Sequence, residues 1–476
     1  MLVAGVDSST QSVKVMLCQA EDGTVVGTGS APHPGGTECD PAAWWDALLT
    51  AGAGLLERAD AVGVAAQQHG MIAVDEAGQV VRPALLWNDV RSARQAEELI
   101  AEQGGPGEWA RRAGSVPTAS FTVTKLRWMA EHEPANAART AMVLLPHDWL
   151  TWQLATRPAL GERPVPELWP GIRPVTDRGD ASGTGYFSPA DSAWLPELAA
   201  AALGHAVDLP DVAAPADVAG QASWGAVLSA GTGDNMGAAL GLCLREGDVV
   251  VSIGTSGTAF AVTEAGAADP AGAVAGFADA TGRFLPLVCT LNAARVLSVT
   301  NGLLGVDAAA GAELALAAEP GAGGLTLLPY LDGERTPNRP DATGVLTGLT
   351  TANGTRENLA RASAEAVLCS LADAVGHLVE VGLTPRRVLL IGGGAKSRAI
   401  RLIAPSVFGT EVVVPEPAEY VARGAARQAA WALAGTSDPP DWPAPASVSF
   451  TGDPIPHIRT RYAALRDATA PNPQHP

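Results

Sequence analysis

Residues 2–30, LVAGVDSSTQSVKVMLCQAEDGTVVGTGS, carry the pattern that decides the fold. Three apolar runs are separated by two polar turns, SSTQS and EDGT. Short apolar runs broken by turn residues such as Asp-Gly are typical of antiparallel strands joined in a meander. The chain is therefore predicted to open with a three-stranded β-meander.

The same pattern starts again after residue 241, where DVVVSIG, the turn TSG and TAFAVTE form a second meander. Helical and strand-like segments follow each meander in the same order. A supersecondary order that occurs twice predicts two similar α/β halves. The predicted divisions are an N-terminal domain at 1–241, a C-terminal domain at 242–438, and a tail with a short helix at 439–476. Residues 156–176, within a Pro-rich stretch, are expected to form a surface loop or insertion.

The length and charge of the chain disfavour several classes of function. With 476 residues the chain has room for two or three domains and a large core. Its 31 Lys and Arg against 50 Asp and Glu give a net charge of -19, which disfavours nucleic acid and anionic membrane surfaces as partners. No apolar run approaches 18 residues and the N-terminus lacks a signal-peptide pattern, so we expect a cytoplasmic protein.

Two turns at matching places in the halves are candidates for binding phosphate. In VDSSTQSVK, Asp7 ends a strand and could hold Mg²⁺ through water, while Lys14 supplies a cation. In SIGTSGTAF, Gly254 lets the backbone approach a phosphate and Thr255 offers a hydroxyl. Either turn alone is more often an ordinary hairpin. Their repetition favours a nucleotide held by both halves.

Two Gly-rich segments follow the same logic. LLIGGGAKS joins a buried strand to a helix through Gly393 and Gly394, which would let a ligand lie against bare backbone. AGTGDNMG carries Asp234 and Asn235 just before the predicted boundary. A carboxylate there could accept the proton of a bound alcohol while the amide orients it, although simple turn chemistry explains an isolated Gly-Asp-Asn as well.

A cluster of hydrogen-bonding and aromatic residues suits a polyol. AAQQHGM supplies Gln68 and His69, and LLWNDVR supplies Trp87 and Asn88. The hydroxyls of a sugar need hydrogen-bond partners and its C–H faces need an apolar wall. Taken singly, each of these residues is as well explained as part of the core.

At this point the ordered set of motifs resembles the FGGY family of carbohydrate kinases over about residues 1–435. The resemblance rests on segments in family order: VDSSTQSVK, QQHGM, ALLWNDVR, the Ser120 to His132 segment, GTGDN, SIGTSG, LLPYLDGERTP, GLTTANGTRENLARASAEAV and LLIGGGAKS. The chain has Ser9, Gln68 and His147 where the family or its nearest members commonly have Gly, Met and Lys.

The resemblance implies two similar actin-like, ribonuclease H-like α/β domains with ATP and a sugar in a central cleft. Asp7 would lie near Mg²⁺, and the cofactor-binding residues would be Thr10, Gln11, Lys14, Gly254, Thr255, Gly393 and Gly394. The sugar-binding residues would be Gln68, His69, Trp87, Asn88, Asp234 and Asn235, and Asp234 would act as proton acceptor, with Asp7 as second catalytic residue.

Within the family the chain looks most like members that convert D-xylulose to D-xylulose 5-phosphate. Its partners would be the sugar and ATP, and a homodimer is compatible with it. The alternatives are a kinase of another ketose or of a pentitol, such as ribulose, ribitol or arabinitol, and a non-catalytic sugar sensor of the same fold. An actin-like chaperone ATPase would lack the QQHG and WNDVR residues.

Overall fold

The computed structural model describes residues 1–157 and 171–470. They form two compact units, each drawn from separate stretches of the chain. The first unit comprises Met1–Leu244, Val262–Pro286 and Ala418–Ala444, and the second comprises Arg245–Ala261, Leu287–Pro417 and Pro445–Pro476. The contiguous division at residues 241 and 438 stays a prediction. The spatial units differ from it because residues 262–286 and 418–444 pack into the first unit.

Residues 1–244 contain short strands and helices. The strands are β1 Leu2–Ser8, β2 Ser12–Gln19, β3 Val25–Pro32, β4 Glu38–Cys39, β5 Ala61–Ala66, β6 Ile72–Val74, β7 Ala84–Leu85, β8 Met142–Leu144, β9 Val175–Asp177, β10 Phe187–Ser188, β11 Ala193–Trp194, β12 Asp211–Ala213, β13 Val218–Gln221, β14 Val227–Ser229 and β15 Thr232–Gly233. The helices are α1 Pro41–Gly52, α2 Ala93–Glu102, α3 Pro106–Ala113, α4 Thr122–His132, α5 Pro134–Arg139, α6 Pro146–Thr156, α7 Arg178–Ala181, α8 Pro196–Leu203 and α9 Asp234–Gly241.

Residues 245–470 contain the remaining described elements. The strands are β16 Asp248–Ile253, β17 Gly257–Ala261, β18 Ala275–Ala278, β19 Phe284–Thr290, β20 Thr326–Leu328, β21 Val345–Thr347, β22 Arg387–Ile391, β23 Glu411–Pro415 and β24 Ser447–Phe450. The helices are α10 Ala294–Leu304, α11 Ala308–Ala317, α12 Arg356–Glu380, α13 Arg398–Phe408, α14 Tyr420–Ala434 and α15 Pro456–Ala468.

The two central sheets have the same topology over six strands. In the first sheet the order is β13-β14-β5-β1-β2-β3, with β15 pairing β5. In the second sheet the order is β24-β23-β22-β16-β17-β19, and β18 follows β19 at its edge. In both, the meander strands pair antiparallel and the next two strands add in parallel. The predicted repeat of two similar α/β halves is therefore confirmed.

The first sheet is covered on both faces because successive apolar side chains of each strand point to opposite faces of the sheet. Val6 and Val15 point into a core that includes Trp44 and Leu48 of α1. Val3 points to the other face, where α14 packs. Apolar strands buried on both faces are typical of a sheet covered by helices on each side.

Helix α14 approaches this sheet unusually closely. A Cβ on Gly5 of β1 would lie 1.8 Å from the carbonyl oxygen of Ala422, and one on Gly63 of β5 would lie 2.2 Å from that of Ala425. On the far side, a Cβ on Gly424 would lie 1.8 Å from the carbonyl oxygen of Gly237 in α9. Since a backbone oxygen cannot move aside like a side-chain tip, only glycine fits at these positions.

Several sequence-based expectations need correction. The apolar helical pattern of residues 41–58 suggests one continuous helix, but α1 ends at Gly52, because Gly54 has a φ of 69°, and a 3₁₀ turn, Leu56–Arg58, follows. The predicted loop at 156–176 falls partly outside the described residues, at 158–170; β9 begins at its end, at Val175. The tail predicted at 439–476 contains β24 as well as the expected short helix, α15.

By length and composition, one described helix, α12, is apolar enough to cross a membrane. The most apolar part of α12 is 78% buried within the protein. Core helices that are mostly buried meet the same criterion.

We predict that Gly5→Ala destabilises the first unit by about 1–3 kcal/mol, the usual cost of overpacking a tight core. All 12 tryptophans of the sequence lie within the stretches assigned to the first unit, so tryptophan fluorescence during urea unfolding reports on that unit. Gly35→Ala is the matched control, since a Cβ there meets nothing within 4 Å. Equal urea midpoints for both variants would contradict the packing argument.

Candidate functional site

Asp7 lies at the end of β1, where the meander makes its first turn. It is 2% exposed and pairs in register with Lys14 of β2. The Ser9 hydroxyl donates to Asp7, and Lys14 Nζ lies 3.8 Å from Asp7 Oδ2 and 2.6 Å from Glu419 Oε2. Burial, with a smaller contribution from Glu419, raises the pKa of Asp7 to about 6, although Ser9 and Lys14 oppose the shift.

Thr10, in the same turn, connects the predicted residue Trp87 to Gln67. Trp87 Nε1 donates to Thr10 Oγ1 at 2.8 Å, and Thr10 Oγ1 donates to Gln67 Oε1 at 3.5 Å. His33, which directly follows β3, holds this turn with two hydrogen bonds. Its Nδ1 donates to the Ser9 carbonyl at 2.8 Å, and its backbone amide donates to the Gln11 carbonyl at 2.8 Å. Sequence reasoning missed Gln67 and His33. Only the adjacency of Gln67 to Gln68 could have indicated the former.

Asp234 and Gln68 meet because two strands run in parallel. β15 pairs with β5 through Thr232 with Ala65 and Gly233 with Ala66, so the residues after both strands emerge at one sheet edge. Asn235 Nδ2 donates to Gln68 Oε1 at 3.1 Å and to Asp234 Oδ1 at 2.8 Å. Burial, followed by the negative charges of Asp7 and Asp180, raises the pKa of Asp234 to about 7.

The His69 ring is fixed beside Gln68. Its Nδ1 donates to the Gly183 carbonyl at 2.6 Å, and its ring lies 4.8 Å from that of Phe121 and 5.8 Å from that of Phe277. Asn88 is placed differently: its Nδ2 donates to the Gly36 carbonyl at 3.3 Å. Among the described contacts, none joins Asn88 to Gln68 or Asp234.

The second phosphate-turn candidate joins β16 to β17 in the second unit. The carbonyls of Gly254 and Thr255 accept hydrogen bonds from the amides of Ala294 and Ala293, at 2.9 and 3.2 Å. These bonds fix the turn against the start of α10, while Thr255 stays exposed. An exposed hydroxyl on a fixed turn suits phosphate binding.

Gly393 and Gly394 follow β22 and lie beside the end of β16. A Cβ on Gly394 would lie 2.3 Å from Ile253 Cγ2, whereas one on Gly393 would meet nothing within 4 Å. Both line a cavity of about 700 Å³. Its other walls come from α10, α11, α12 and the segment that leads into α13, and they include Asn301, Ser363, Lys396 and Arg398. This volume lies within the range of small-molecule sites.

A buried charged cluster lies behind Asp234, and sequence reasoning did not find it. His147 Nδ1 donates to Asp180 Oδ2 at 2.6 Å, and His147 Nε2 lies 3.2 Å from Asp148 Oδ1 and 4.0 Å from Asp177 Oδ1. The Thr232 hydroxyl, two residues before Asp234, donates to Asp177 Oδ2 at 2.9 Å. The cluster therefore contacts the segment that leads into Asp234.

This buried charged cluster is also where the described residues bring three potential metal ligands together, His147, Asp148 and Asp180. Burial alone would lower the pKa of His147, but Asp148, Asp180 and Asp177 together raise it to about 9. A protonated imidazole has no lone pair for a metal, so the imidazolium itself is the cation that balances these carboxylates.

Comparisons with known proteins agree with this architecture. The N-terminal domain of the FGGY family of carbohydrate kinases matches residues 2–241, and its C-terminal domain matches residues 249–433. The chain is 47% identical to a xylulose kinase of Streptomyces coelicolor, over 91% of this chain and 88% of that protein. A xylulose kinase of Streptomyces rubiginosus is 46% identical, with the same coverage. The crystal structure of xylulose kinase from Bifidobacterium adolescentis superposes with a TM-score of 0.90 at 45% identity, covering 98% of this chain and 99% of that one.

We predict that His147→Gln lowers the free energy of unfolding at pH 7 by about 3–5 kcal/mol, because it leaves buried carboxylates without their cation. His147→Lys should retain most of the stability. Because the pKa of His147 is raised to about 9, its positive charge is present at pH 7 and lost by pH 10. The deficit of His147→Gln should therefore shrink by pH 10.

Urea unfolding at pH 7 and pH 10 measures this difference, with His132→Gln as control because His132 is exposed. The wild-type contribution of His147 should be complete below its unfolded pKa near 6.5 and be lost as pH rises through about 9. A deficit of equal size at both pH values would show that the ring's shape, not its charge, matters.

Proposed function

Because this chain belongs to the FGGY family of carbohydrate kinases, we propose that it transfers the γ-phosphoryl group of ATP to D-xylulose, giving D-xylulose 5-phosphate. The relatives that are 46–47% identical over 91% of the chain are xylulose kinases, which favours this sugar over another ketose or a pentitol. The homodimer, the cytoplasmic location and the absence of nucleic-acid and membrane partners stay predictions.

The observation that carries the proposal is the arrangement around Asp234. Its carboxylate lies beside two amide side chains, Asn235 and Gln68, which can orient a hydroxyl-rich ligand. Its raised pKa, about 7, matches a group that must accept a proton near neutral pH. A sugar sensor would need the amides and His69 but would have no use for a carboxylate tuned in this way.

In the proposed reaction, Asp234 accepts the proton of the attacking sugar hydroxyl. The hydroxyl oxygen forms a bond to the γ-phosphorus as the bond between that phosphorus and the leaving oxygen of ADP breaks. Gln68, His69, Asn235 and Trp87 would hold the sugar, and Asn88 is the member of the predicted set that the contacts support least. Phosphoryl transfer depends mainly on positioning and charge stabilisation, which such a site provides.

ATP would lie against the second unit's fixed turn and its cavity. Gly254 and Thr255 would bind phosphate through backbone amides and a hydroxyl, with Gly393 and Gly394 beside the adenosine. A cavity of about 700 Å³ with a glycine wall and several small alanines fits a flat base and a ribose. Thr10, Gln11 and Lys14 stay predicted as binding residues for the γ-phosphate.

The residues at the first turn also fit Mg²⁺. Asp7 offers one buried carboxylate, and Mg²⁺ typically takes one or two carboxylates and fills its other positions with water and phosphate oxygens. When bound, Mg²⁺ would neutralise charge on the phosphates during transfer. Lys14, held between Asp7 and Glu419, keeps a positive charge beside the same position.

The proposal is tested by measuring ADP formation from ATP over a panel of pentuloses and pentitols. D-Xylulose should give the highest kcat/KM. A clear preference for ribulose, ribitol or arabinitol would replace the sugar and leave the kinase chemistry intact. Tight sugar binding without any ADP formation would instead indicate a sensor.

We predict that Asp234→Asn lowers kcat by about 10²–10⁴-fold, the usual contribution of a general base, because the amide cannot accept a proton. The KM for ATP should stay within a few-fold. Asp7→Asn is the matched comparison, since it should raise the Mg²⁺ concentration needed for half-maximal activity while Asp234→Asn leaves it unchanged. An Asp234→Asn enzyme with near wild-type turnover at saturating substrates would exclude Asp234 as the base.

We also predict that kcat/KM falls on the acid side. Asp234 must be ionised to act, and with its pKa raised to about 7 the ionised fraction decreases about tenfold per pH unit well below that value. The pH dependence of kcat/KM for the sugar should therefore show an acid limb with its midpoint near pH 7. An aspartate with an ordinary pKa of about 3.9 would give a flat profile between pH 5.5 and pH 8. Such a profile would contradict the assignment of Asp234, with its raised pKa, as the base.

A further inference from the structure

His69 has a backbone conformation that its residue type disfavours. It lies in the loop after β5 with a φ of 67°, in the left-handed region that usually needs glycine. Such a conformation persists only where the surrounding structure enforces it, and strained residues of this kind often lie at binding sites. The contacts that hold His69 therefore bear on its function.

Two contacts that hold the His69 backbone come from the start of α4. Lys125 Nζ donates to the His69 carbonyl oxygen at 2.8 Å, and Thr122 Oγ1 donates to the same oxygen at 3.2 Å. Residues three apart lie on one face of a helix, which explains how the two side chains reach one acceptor. Lys125 Nζ also donates to the carbonyl oxygen of Ser120 at 2.6 Å.

Lys125 is a costly residue to place here. Its side chain is fully buried, and among the described residues no ion pair includes it. Burial lowers its pKa to about 7, and Asp89 only partly opposes the shift. A neutral amine still has two N–H groups, one for each of its two carbonyl acceptors. The hydrogen bonds of Lys125 therefore do not depend on its charge.

The ring of His69 is fixed as firmly as its backbone. Nδ1 donates to the Gly183 carbonyl at 2.6 Å, and a Cβ on Gly183 would lie only 2.7 Å from that nitrogen. Phe121 and Phe277 confine the ring from the sides. In the neutral ring, Nε2 is then the acceptor nitrogen, and its direction is set by the backbone conformation of His69.

We propose that Lys125 is a positioning residue for sugar recognition: with Thr122 it holds the His69 carbonyl, and so fixes the left-handed turn that aims His69 Nε2 at a sugar hydroxyl. This inference rests on the proposed binding of the sugar by His69. Lys125 itself does not touch the sugar. An apolar side chain of similar length would fill the same space, so the use of an amine points to the two carbonyls that it serves.

The test is a double-mutant cycle of Lys125→Met with His69→Ala, in which Lys125→Met keeps the length of the side chain and removes its donors. Lys125→Met should raise the KM for D-xylulose about tenfold, the loss expected when one hydrogen bond no longer holds. Its KM for ATP should stay within about twofold. The double variant should bind the sugar no more weakly than His69→Ala alone, because Lys125 acts through His69.

If the rises in the KM for D-xylulose of the two single variants multiply in the double variant, the proposal is wrong. The same holds if Lys125→Met raises the KM for D-xylulose and the KM for ATP equally, and Lys125 is then a core residue. If His69→Ala itself leaves the sugar KM unchanged, His69 does not bind the sugar, and the proposed site fails before Lys125 is in question. The two failures are therefore distinguishable.

Thr122→Val keeps the inference testable if Lys125→Met does not fold. It has the same shape as threonine but lacks the second donor to His69. It should raise the sugar KM in the same direction by a smaller factor, and this effect should vanish in the His69→Ala background. Titration calorimetry with D-xylulose in the absence of ATP gives the same comparison without relying on turnover. A Thr122→Val effect that persists beside His69→Ala would count against the proposal.

Discussion

Helix α14 packs on the first sheet at a distance that admits no side chain at the contact, and the candidate site of the first unit depends on this packing. The carbonyls of Ala422 and Ala425 occupy the positions that a Cβ on Gly5 or Gly63 would need. This approach brings Glu419, just before α14, to Lys14. On its other side, Gly424 lets α9 lie equally close, and α9 begins with Asp234. The absence of a Cβ atom at these glycines therefore determines where Lys14 and Asp234, two groups of the proposed chemistry, lie.

Burial then sets the electrostatic character of the site. Desolvation raises the pKa of three carboxylates, Asp7, Asp180 and Asp234. Such shifts toward neutrality are common where a carboxylate must bind a proton or a metal in turn. The imidazolium of His147 compensates only part of this negative charge, so the stability of the unit and the tuning of Asp234 depend on the same group of residues.

Rigidity around the proposed sugar site comes from hydrogen bonds to backbone carbonyls rather than from ion pairs. Lys125 and Thr122 donate hydrogen bonds to the His69 carbonyl. The rings of His33 and His69 donate to the carbonyls of Ser9 and Gly183, respectively. Irregular backbone needs such donors, because strand pairing does not satisfy its carbonyls. Side chains that carry out recognition are thereby fixed by others that only donate hydrogen bonds.

Local patterns in the sequence predicted the two meanders and the repetition of the α/β halves. Alternating apolar runs and Gly-containing turns predicted both meanders, and the position of Asp7 and Lys14 on either side of the first turn follows from hairpin geometry. The sequence did not predict the end of α1 at Gly52 or the strand β24, because the local residue patterns there are equally compatible with a longer helix and with an irregular tail. It also could not show that residues 262–286 and 418–444 join the first unit, nor that His147 meets Asp148, Asp177 and Asp180. Local propensity acts over a few residues, whereas these contacts join segments far apart in the chain, and only the packing of the tertiary structure decides which of them meet.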